Sequence, residues 1–277
     1  MCCAAYPAEF NNTKIAMHQP DPARVGRDIP VLLYQNAVDN RFGGPNAMLL
    51  GIDTSSPMGP ENFIPTTEFR HVLDDMVDAL VPKSRGPTFS LGAGGLTESI
   101  QVFDVGAFTA VLAQGSASGF EQALQLVHPR KRPRVNRDQF QLFAEQYPAT
   151  ALCCFNDSFE EAEPLMLWWE PREPEIFRMP ALDEHAGRVP RVESAVRVDH
   201  WLIASSYRLP GDGGNPVSYR EGGAIPPDVR ELLPDRVIGT RADGFRPNGD
   251  FGVSLSDVVA GSFPRDPLRL PPPGVNL

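Results

Sequence analysis

The chain has 277 residues, with 25 lysines and arginines against 35 aspartates and glutamates, giving a net charge of -10. This charge argues against a general nucleic-acid-binding protein, because phosphate contacts usually require a basic face. A hydrophobic content of 42% suffices for an ordinary globular core, and 29 prolines with 24 glycines predict many loops and short strands.

In the N-terminal part, β-branched and apolar runs predict strands at residues 13–17, 29–38 and 46–53. A Gly-Gly-Pro turn before the third run makes a small antiparallel meander the expected arrangement. A helix is then predicted from Thr66 to Pro82, covering that meander. Its apolar face follows the 3.6-residue repeat and comprises Phe69, Val72, Leu73, Met76, Val77 and Leu80.

The glycine-rich stretch at 92–95 is interpreted as a linker, because no helix follows it as a phosphate loop would require. Beyond it, the patterns predict strands, two short capped helices, four more strands, a short helix and a last strand. The first two strands fall at residues 99–106 and 108–114, and the two helices begin at Ser116 or Ser118 and at Asn136. The four further strands fall at 150–155, 164–170, 177–182 and 195–207, the short helix at 226–233 and the last strand at 236–240.

These elements predict an α+β fold in which antiparallel sheets are covered by a few helices. Residues 1–241 are expected to form one compact domain with two β-rich lobes, at about 1–83 and 97–241. The Pro/Gly-rich residues 242–277 are predicted to be an extended tail that contributes little to the fold.

The amino end lacks a basic and then apolar leader, and no run reaches the ~18 apolar residues of a membrane span. We therefore expect a cytoplasmic protein without a membrane partner. The cysteines form two adjacent pairs, Cys2-Cys3 and Cys153-Cys154, which we expect to be thiols. The second pair lies in a predicted strand, so its two side chains should point to opposite faces, which disfavours a four-cysteine zinc site.

Cys2 is a candidate nucleophile. Removal of Met1 would leave a free α-amine beside its thiol, and that amine can serve as the base, as in N-terminal nucleophile hydrolases. The structural alternative is that Cys2 and Cys3 are small buried residues.

Two histidines have acidic neighbours that would orient an imidazole. His185 follows an Asp-Glu pair, and His200 follows Asp199. A thiol reacts or binds metal as the thiolate, which requires a nearby base, cation or metal. If the protein is a thiol-dependent enzyme or binds a metal, Cys2 or Cys3 should therefore contact His185 or His200. Otherwise these are ordinary hydrogen-bonded histidines.

Two further patterns have both a binding and a structural interpretation. The basic run at residues 130–134, with Arg137, lacks interleaved aromatic residues and is predicted to be a solvated loop. Of the adjacent Trp168 and Trp169 on a predicted strand, one should enter the core while the other reaches the surface, where it would mark a binding face.

The chain resembles a family of uncharacterised bacterial proteins that open with Met-Cys-Cys and continue into an Asn/Thr-bearing strand. It is similar, more distantly, to exported bacterial proteins with a domain of unknown function and the same strand-strand-strand-helix opening. The resemblance covers roughly residues 1–210 and implies one continuous architecture, without a reaction. It rests on Met1-Cys2-Cys3, Thr13-Lys14-Ile15, Val31-Leu32-Leu33-Tyr34, Ala47-Met48-Leu49-Leu50, Val105-Gly106-Ala107-Phe108, His185 with Gly187, and Asp199-His200.

No convergent acid, base and nucleophile emerge from the sequence, which favours a non-catalytic intracellular binding or interaction protein. Its partner would be a small molecule or a protein, and no cofactor is predicted. The alternatives are a thiol-dependent, amidohydrolase-like enzyme with Cys2 as nucleophile, and a protein with a Cys/His metal site. For either alternative the candidate site residues are Cys2, Cys3, His185, Asp199 and His200.

Overall fold

The structure is a computed structural model and describes residues 3–81, 102–105, 108–134 and 136–274. Cys2, the glycine-rich stretch at 92–95 and the whole predicted junction between the lobes therefore lie outside the described residues. Every strand and helix predicted within the described part is present, with ends shifted by a few residues, and the α+β class is confirmed.

The described elements are helices, 3₁₀ turns and strands. The helices are α1 (Pro22–Val25), α2 (Val72–Leu80), α3 (Ala117–Leu126), α4 (Arg137–Gln146), α5 (Pro227–Arg230) and α6 (Leu255–Val259), with 3₁₀ turns at Pro60–Asn62 and Thr67–Phe69. The strands are β1 (Cys3–Ala4), β2 (Glu9–Gln19), β3 (Val31–Asp39), β4 (Asn46–Ile52), β5 (Phe63–Ile64), β6 (Val102–Val105), β7 (Phe108–Gln114), β8 (Ala149–Phe155), β9 (Leu165–Trp168), β10 (Ile176–Met179), β11 (Ala195–Ser206), β12 (Asn215–Pro216), β13 (Arg236–Pro247), β14 (Asp250–Ser254) and β15 (Leu268–Leu270).

Two large sheets and one small sheet organise these strands. A seven-stranded sheet has the order β12-β13-β11-β2-β3-β9-β5, and a five-stranded sheet has the order β1-β4-β8-β7-β6. The small sheet is β10-β14-β15. All pairings between these strands are antiparallel except β2 with β11, which is parallel. The predicted meander is wrong in one respect, because β4 leaves β2 and β3 and joins the other sheet.

The two large sheets stack in four layers of helix, sheet, sheet and helix. One apolar cluster lies between the sheets, with Ile15, Leu32, Met48 and Leu202 among its members. A second lies between the five-stranded sheet and helices α3 and α4, and a third lies between the seven-stranded sheet and helices α2 and α5. Each sheet therefore buries both faces, which explains the largely apolar strands β4, β7 and β8.

A bulge in β2 decides which side chains face the inter-sheet core. Asn12 and Thr13 together lie opposite a single β3 residue, between the pairs Asn11–Ala37 and Lys14–Gln35. The extra residue reverses the alternation, so Phe10 before it and Ile15 after it both face the inter-sheet core. Lys14 consequently points to the helix-covered outer face.

Two pairs of adjacent residues point their side chains to opposite sides, as the predicted alternation requires. Cys153 lies in the inter-sheet core and Cys154 beneath helices α3 and α4, and no disulfide joins the described cysteines. Trp169 is buried between the sheets, whereas Trp168 is partly exposed under the guanidinium of Arg27, 4.3 Å from the ring centre.

The structure differs from the predicted lobes and tail. Strands from residues 1–83 and 97–241 lie side by side in both large sheets, so neither stretch forms a sheet of its own. The predicted tail at 242–277 contains the end of β13, all of β14 and β15, and α6, with buried core residues Phe251 and Val258. The sequence did not predict these short elements because their apolar residues show little periodicity. They are buried through pairing with β10 and β11.

The 3₁₀ turn Thr67–Phe69 and helix α2 together bury the face that the periodicity predicts, with Phe69, Leu73 and Met76 almost fully inaccessible and Val77 and Leu80 half-buried. We expect Leu73→Asp to lower the free energy of unfolding by about 3–5 kcal/mol, because it places an unpaired charge in the core. Urea unfolding of the wild type and the variant measures this loss in the free energy of unfolding.

Leu126→Asp at a half-exposed helical position is the control, with an expected loss of about 1 kcal/mol or less. Equal losses for the two substitutions would contradict the packing of α2.

Within the described part of the chain, no helix is long and apolar enough to cross a membrane.

Candidate functional site

A gap opens between β2 and β11 where their shared ladder ends. The two strands pair in parallel from Lys14 opposite Trp201 onward, whereas residues 195–200 of β11 pair only with β13. The bulge ends the ladder, because an inserted residue leaves backbone groups unpaired and bends the strand. Asn12 has a φ of 51°, a conformation uncommon outside glycine. Such bulges and strained residues concentrate beside functional sites.

The gap holds a cavity of about 850 Å³, which we call the wedge pocket. The loop between β10 and β11 closes it and is bound to the amino end of the chain, where Ala8 donates a backbone hydrogen bond of 3.0 Å to His185. Gly187, with a φ of 72°, comes so close to the backbone of Ala5 and Tyr6 that a Cβ would lie within 3 Å of it. The lining residues are Glu9, Phe10, Asn11, Asp183, Glu184, His185, Arg188, Val189, Arg191, Ser194, Val196, Arg197, Val198 and Asp199.

Charged groups of both signs line the wedge pocket. Four carboxylates face three arginines there. Arg188, Arg191 and Arg197 are exposed, and among the described residues no carboxylate lies within ion-pair distance of their side chains. An arginine presents five donors in a planar fork that suits carboxylate and phosphate groups. These three side chains are therefore available to an anionic group.

His185 lies between two carboxylates at the edge of the pocket. Its Nδ1 is 3.0 Å from a Glu9 oxygen and its Nε2 is 3.0 Å from an Asp183 oxygen. Burial favours the neutral imidazole, but the hydrogen bond and charge of Asp183, with a smaller contribution from Glu9, outweigh it and raise the pKa of His185. Both ring nitrogens are thus occupied by carboxylates, which suits a fixed cation better than a general base.

Asp199 and His200 are adjacent on β11 but point to opposite sides. Asp199 lines the pocket, and its Oδ2 accepts a 2.9 Å hydrogen bond from the backbone of Asn12 in the bulge. Its Oδ1 is buried and has no hydrogen-bond partner among the described residues. His200 is fully buried, with its ring 5.7 Å from that of Phe251. The Nδ1 of His200 is 3.1 Å from the backbone nitrogen of Asp199 and 3.7 Å from its Oδ1.

Cys3 is close to the pocket in the chain path but its thiol faces elsewhere. Its backbone pairs with that of Glu184, and its Sγ donates to the carbonyl of Leu182 at 3.3 Å. The side chain is fully buried in the layer beneath α3 and α4. Burial also raises the pKa of Cys154 to about 12, which keeps that thiol protonated. Of the predicted site residues, the structure brings His185 and Asp199 into one pocket and leaves Cys3 and His200 outside its lining.

A second polar cluster lies under α2. Oxygen and nitrogen atoms of His71, Asp74 and Glu161 are within 4.8 Å of one another, a separation that metal ligands also show. The buried ammonium of Lys14 already binds this cluster, donating to Asp74, to Glu161 at 2.7 Å and to Gln35 at 3.0 Å. The lysine neutralises the carboxylates, so this cluster is an internal ion pair and does not require a cation.

The basic run at residues 130–134 forms contacts within its own neighbourhood. Lys131 binds the Thr109 hydroxyl at 3.0 Å, Arg132 donates to the end of α3, and Arg137 pairs with Glu121 at 3.2 Å. These partners are local, as expected for a solvated loop.

The four layers, the parallel pair of strands that separates at a bulge, and the charged pocket between them define an α+β sandwich with a mixed-charge cavity in its seven-stranded sheet. Comparison of the chain with models of known families, with curated protein sequences and with solved structures gives no match in any of the three.

Several pocket residues escape analysis of the sequence. Glu9 and the three arginines belong to no motif, and they meet only because the loop before β11 folds back over β2. The bulge leaves one trace in the sequence: Phe10 and Ile15 are an odd number of residues apart, although both face the same core. An interrupted alternation of this kind is the signal that predicts a bulge.

Proposed function

We propose that this chain is a non-catalytic binding protein for a small polar molecule, and that the wedge pocket is its binding site. Three exposed arginines that have no ion-pair partner among the described residues and that line one cavity are the observation that carries the proposal. A guanidinium has five donors that suit the carboxylate or phosphate group of a polar ligand. A volume of about 850 Å³ is in the range of small-molecule sites. A cytoplasmic location remains part of this proposal.

The histidines support binding over catalysis. A general base must have a ring nitrogen within reach of the proton that it removes. Both nitrogens of His185 are 3.0 Å from carboxylate oxygens, and His200 is fully buried behind the pocket lining. Neither imidazole therefore presents a nitrogen to the pocket, whereas the three arginine side chains present donors to it that have no ion-pair partner among the described residues.

The test is a thermal-shift screen of small polar metabolites against the full chain and against Asn11→Trp. Asn11 is exposed and lines the pocket, so a tryptophan there would occupy the space of a ligand. A ligand at one hundred times its Kd stabilises by about 2.7 kcal/mol, or roughly 5 °C for a chain of this size. We expect such a shift for the wild type and its loss in Asn11→Trp.

Gln141→Trp, at an exposed position of α4 outside the pocket, is the control and should keep the shift. A ligand whose effect survives Asn11→Trp binds elsewhere and contradicts the wedge pocket. Absence of any stabilising ligand in a broad screen would count against a binding function.

A thiol-dependent hydrolase with Cys2 as nucleophile is the second candidate. The observation in its favour is the backbone pairing of Cys3 with Glu184, because Glu184 lines the wedge pocket. Intact mass would show whether Met1 is removed, and alkylation with a low concentration of iodoacetamide would reveal a thiol with a depressed pKa. Retention of Met1, or slow alkylation of Cys2, would exclude this candidate.

A further inference from the structure

We infer that the ligand of the wedge pocket is a small zwitterion carrying a carboxylate and an ammonium group, as free amino acids and short peptides do. This inference rests on the proposed binding function and adds the chemical class of the ligand. It follows from two kinds of group on the pocket lining: exposed guanidinium groups, and the partly exposed carboxylate of Asp199, neither of which has an ion pair of lysine or arginine with a carboxylate among the described residues.

The anionic end of the ligand is assigned to the arginines. Arg188, Arg191 and Arg197 lie on the exposed rim of the cavity, and each lacks an ion-pair partner among the described residues. The chain has an excess of acidic residues, so unpaired arginines that line one cavity are not explained by a shortage of carboxylates. A guanidinium binds a carboxylate through two parallel hydrogen bonds, the strongest geometry open to either group.

The cationic end is assigned to Asp199. Its Oδ2 accepts a hydrogen bond from the backbone of Asn12, which fixes the carboxylate, and the side chain is 30% exposed on the pocket lining. Among the described residues, no lysine or arginine lies within ion-pair distance of it, and its nearest charged group is the buried ring of His200 at 3.7 Å. An ammonium has three donors and a positive charge, which satisfy a carboxylate better than a neutral hydroxyl does.

Asp199 is the acidic group assigned to the cation because it lies two residues from Arg197 on the same face of β11, and both residues line the pocket. Of the other acidic groups, Glu9 and Asp183 flank His185, and Glu184 accepts from the backbone of Ala186 at 2.7 Å. With the arginines exposed on the rim and Asp199 partly buried, the ligand would enter with its ammonium first and its carboxylate outermost.

The experiment uses the full chain and two sets of probes, namely the twenty free amino acids and a set of dipeptides with ionised termini. Binding is found by thermal shift and measured by calorimetry. Each probe that binds is then compared with its N-acetyl derivative and its C-terminal amide, which remove one charge each. We expect both derivatives to bind about tenfold more weakly or worse, as loss of a charged hydrogen bond predicts. Preference for one probe set separates free amino acids from peptides.

Substitutions link each end of the ligand to its residue. In Asp199→Asn, the parent probe and its N-acetyl derivative should bind equally, while the penalty for the C-terminal amide remains. In Arg191→Gln with Arg197→Gln, the penalty for the amide should disappear instead. Asp243→Asn is the matched control: Asp243 lies opposite Asp199 on β13, is exposed and does not line the pocket, so both penalties should persist.

The outcomes separate this inference from the function on which it rests. Binding of N-acetyl derivatives as tight as that of the parent probes overturns the assignment of Asp199. If no zwitterion binds but another polar metabolite does, with loss in Asn11→Trp, the ligand class is wrong and the binding function stands. If nothing binds in either screen, both fail.

Discussion

Truncation after Gly239 is expected to abolish cooperative unfolding. The deleted segment contains the second half of β13, which forms most of the ladder with β11, together with β14, α6 and β15. It also removes Phe251, Val253, Leu255 and Val258 from the inter-sheet core. Loss of four buried side chains costs roughly 2 kcal/mol each, which approaches the whole stability of an ordinary domain, ~5–15 kcal/mol.

A buried polar network adds to this cost. Asp250 is almost fully buried and accepts hydrogen bonds from the Tyr147 hydroxyl at 3.1 Å, from Arg178 at 3.3 Å and from the backbone of Ala181 at 3.0 Å. Without Asp250 these donors remain on the rest of the chain and lose their shared acceptor. A buried donor left unpaired costs about 1–3 kcal/mol.

Circular dichroism during heating measures the effect of truncation, and a pair of phenylalanines in the same segment provides the control. Phe251 is fully buried whereas Phe245 is 72% exposed. We expect Phe251→Ser to cost about 3–5 kcal/mol and Phe245→Ser about 0.5 kcal/mol or less. A truncated chain with a sharp transition near that of the full chain would show that residues after 239 are dispensable.

Acidification from pH 6.5 to 4 is expected to remove about 3 kcal/mol of stability through His18 alone. His18 lies on β2 and is 5% exposed. Burial is the main cause that lowers its pKa from 6.5 to about 4, against smaller opposing effects of the Ser205 backbone and of Asp235. The unfolded chain therefore binds a proton in this range that the folded chain does not, so the stability of the folded protein falls as the pH falls. Below pH 4 this histidine adds no further loss.

The measurement compares urea unfolding of the wild type and of His18→Gln at several pH values between 7 and 4. His185 has a raised pKa and contributes with the opposite sign, since its stabilisation is present at low pH and is lost as pH rises. The difference between the two proteins isolates His18, because His185 is common to both.

As the pH falls, the free energy of unfolding of the wild type should drop by about 3 kcal/mol relative to that of His18→Gln, because glutamine does not titrate. A constant difference between the two proteins across this pH range would contradict the lowered pKa of His18.

The sequence by itself determined the elements whose signal is local. The helical spacing of Phe69, Leu73 and Met76 predicted α2 and its buried face, and period-two alternation predicted the opposite burial of Cys153 and Cys154. These features depend on backbone geometry within a few residues, which each stretch of sequence carries on its own.

Only the tertiary structure decided which strands share a sheet and which side chains share the pocket. β4 leaves its sequence neighbours for the five-stranded sheet, and the short strands after Ala242 gain their burial from partners far away in the chain. Glu9, His185 and Asp199 are nearly two hundred residues apart at the extremes, yet one bulge and one loop bring them together. Pairing between distant strands is selected by the packing of the whole core, and no local pattern encodes it.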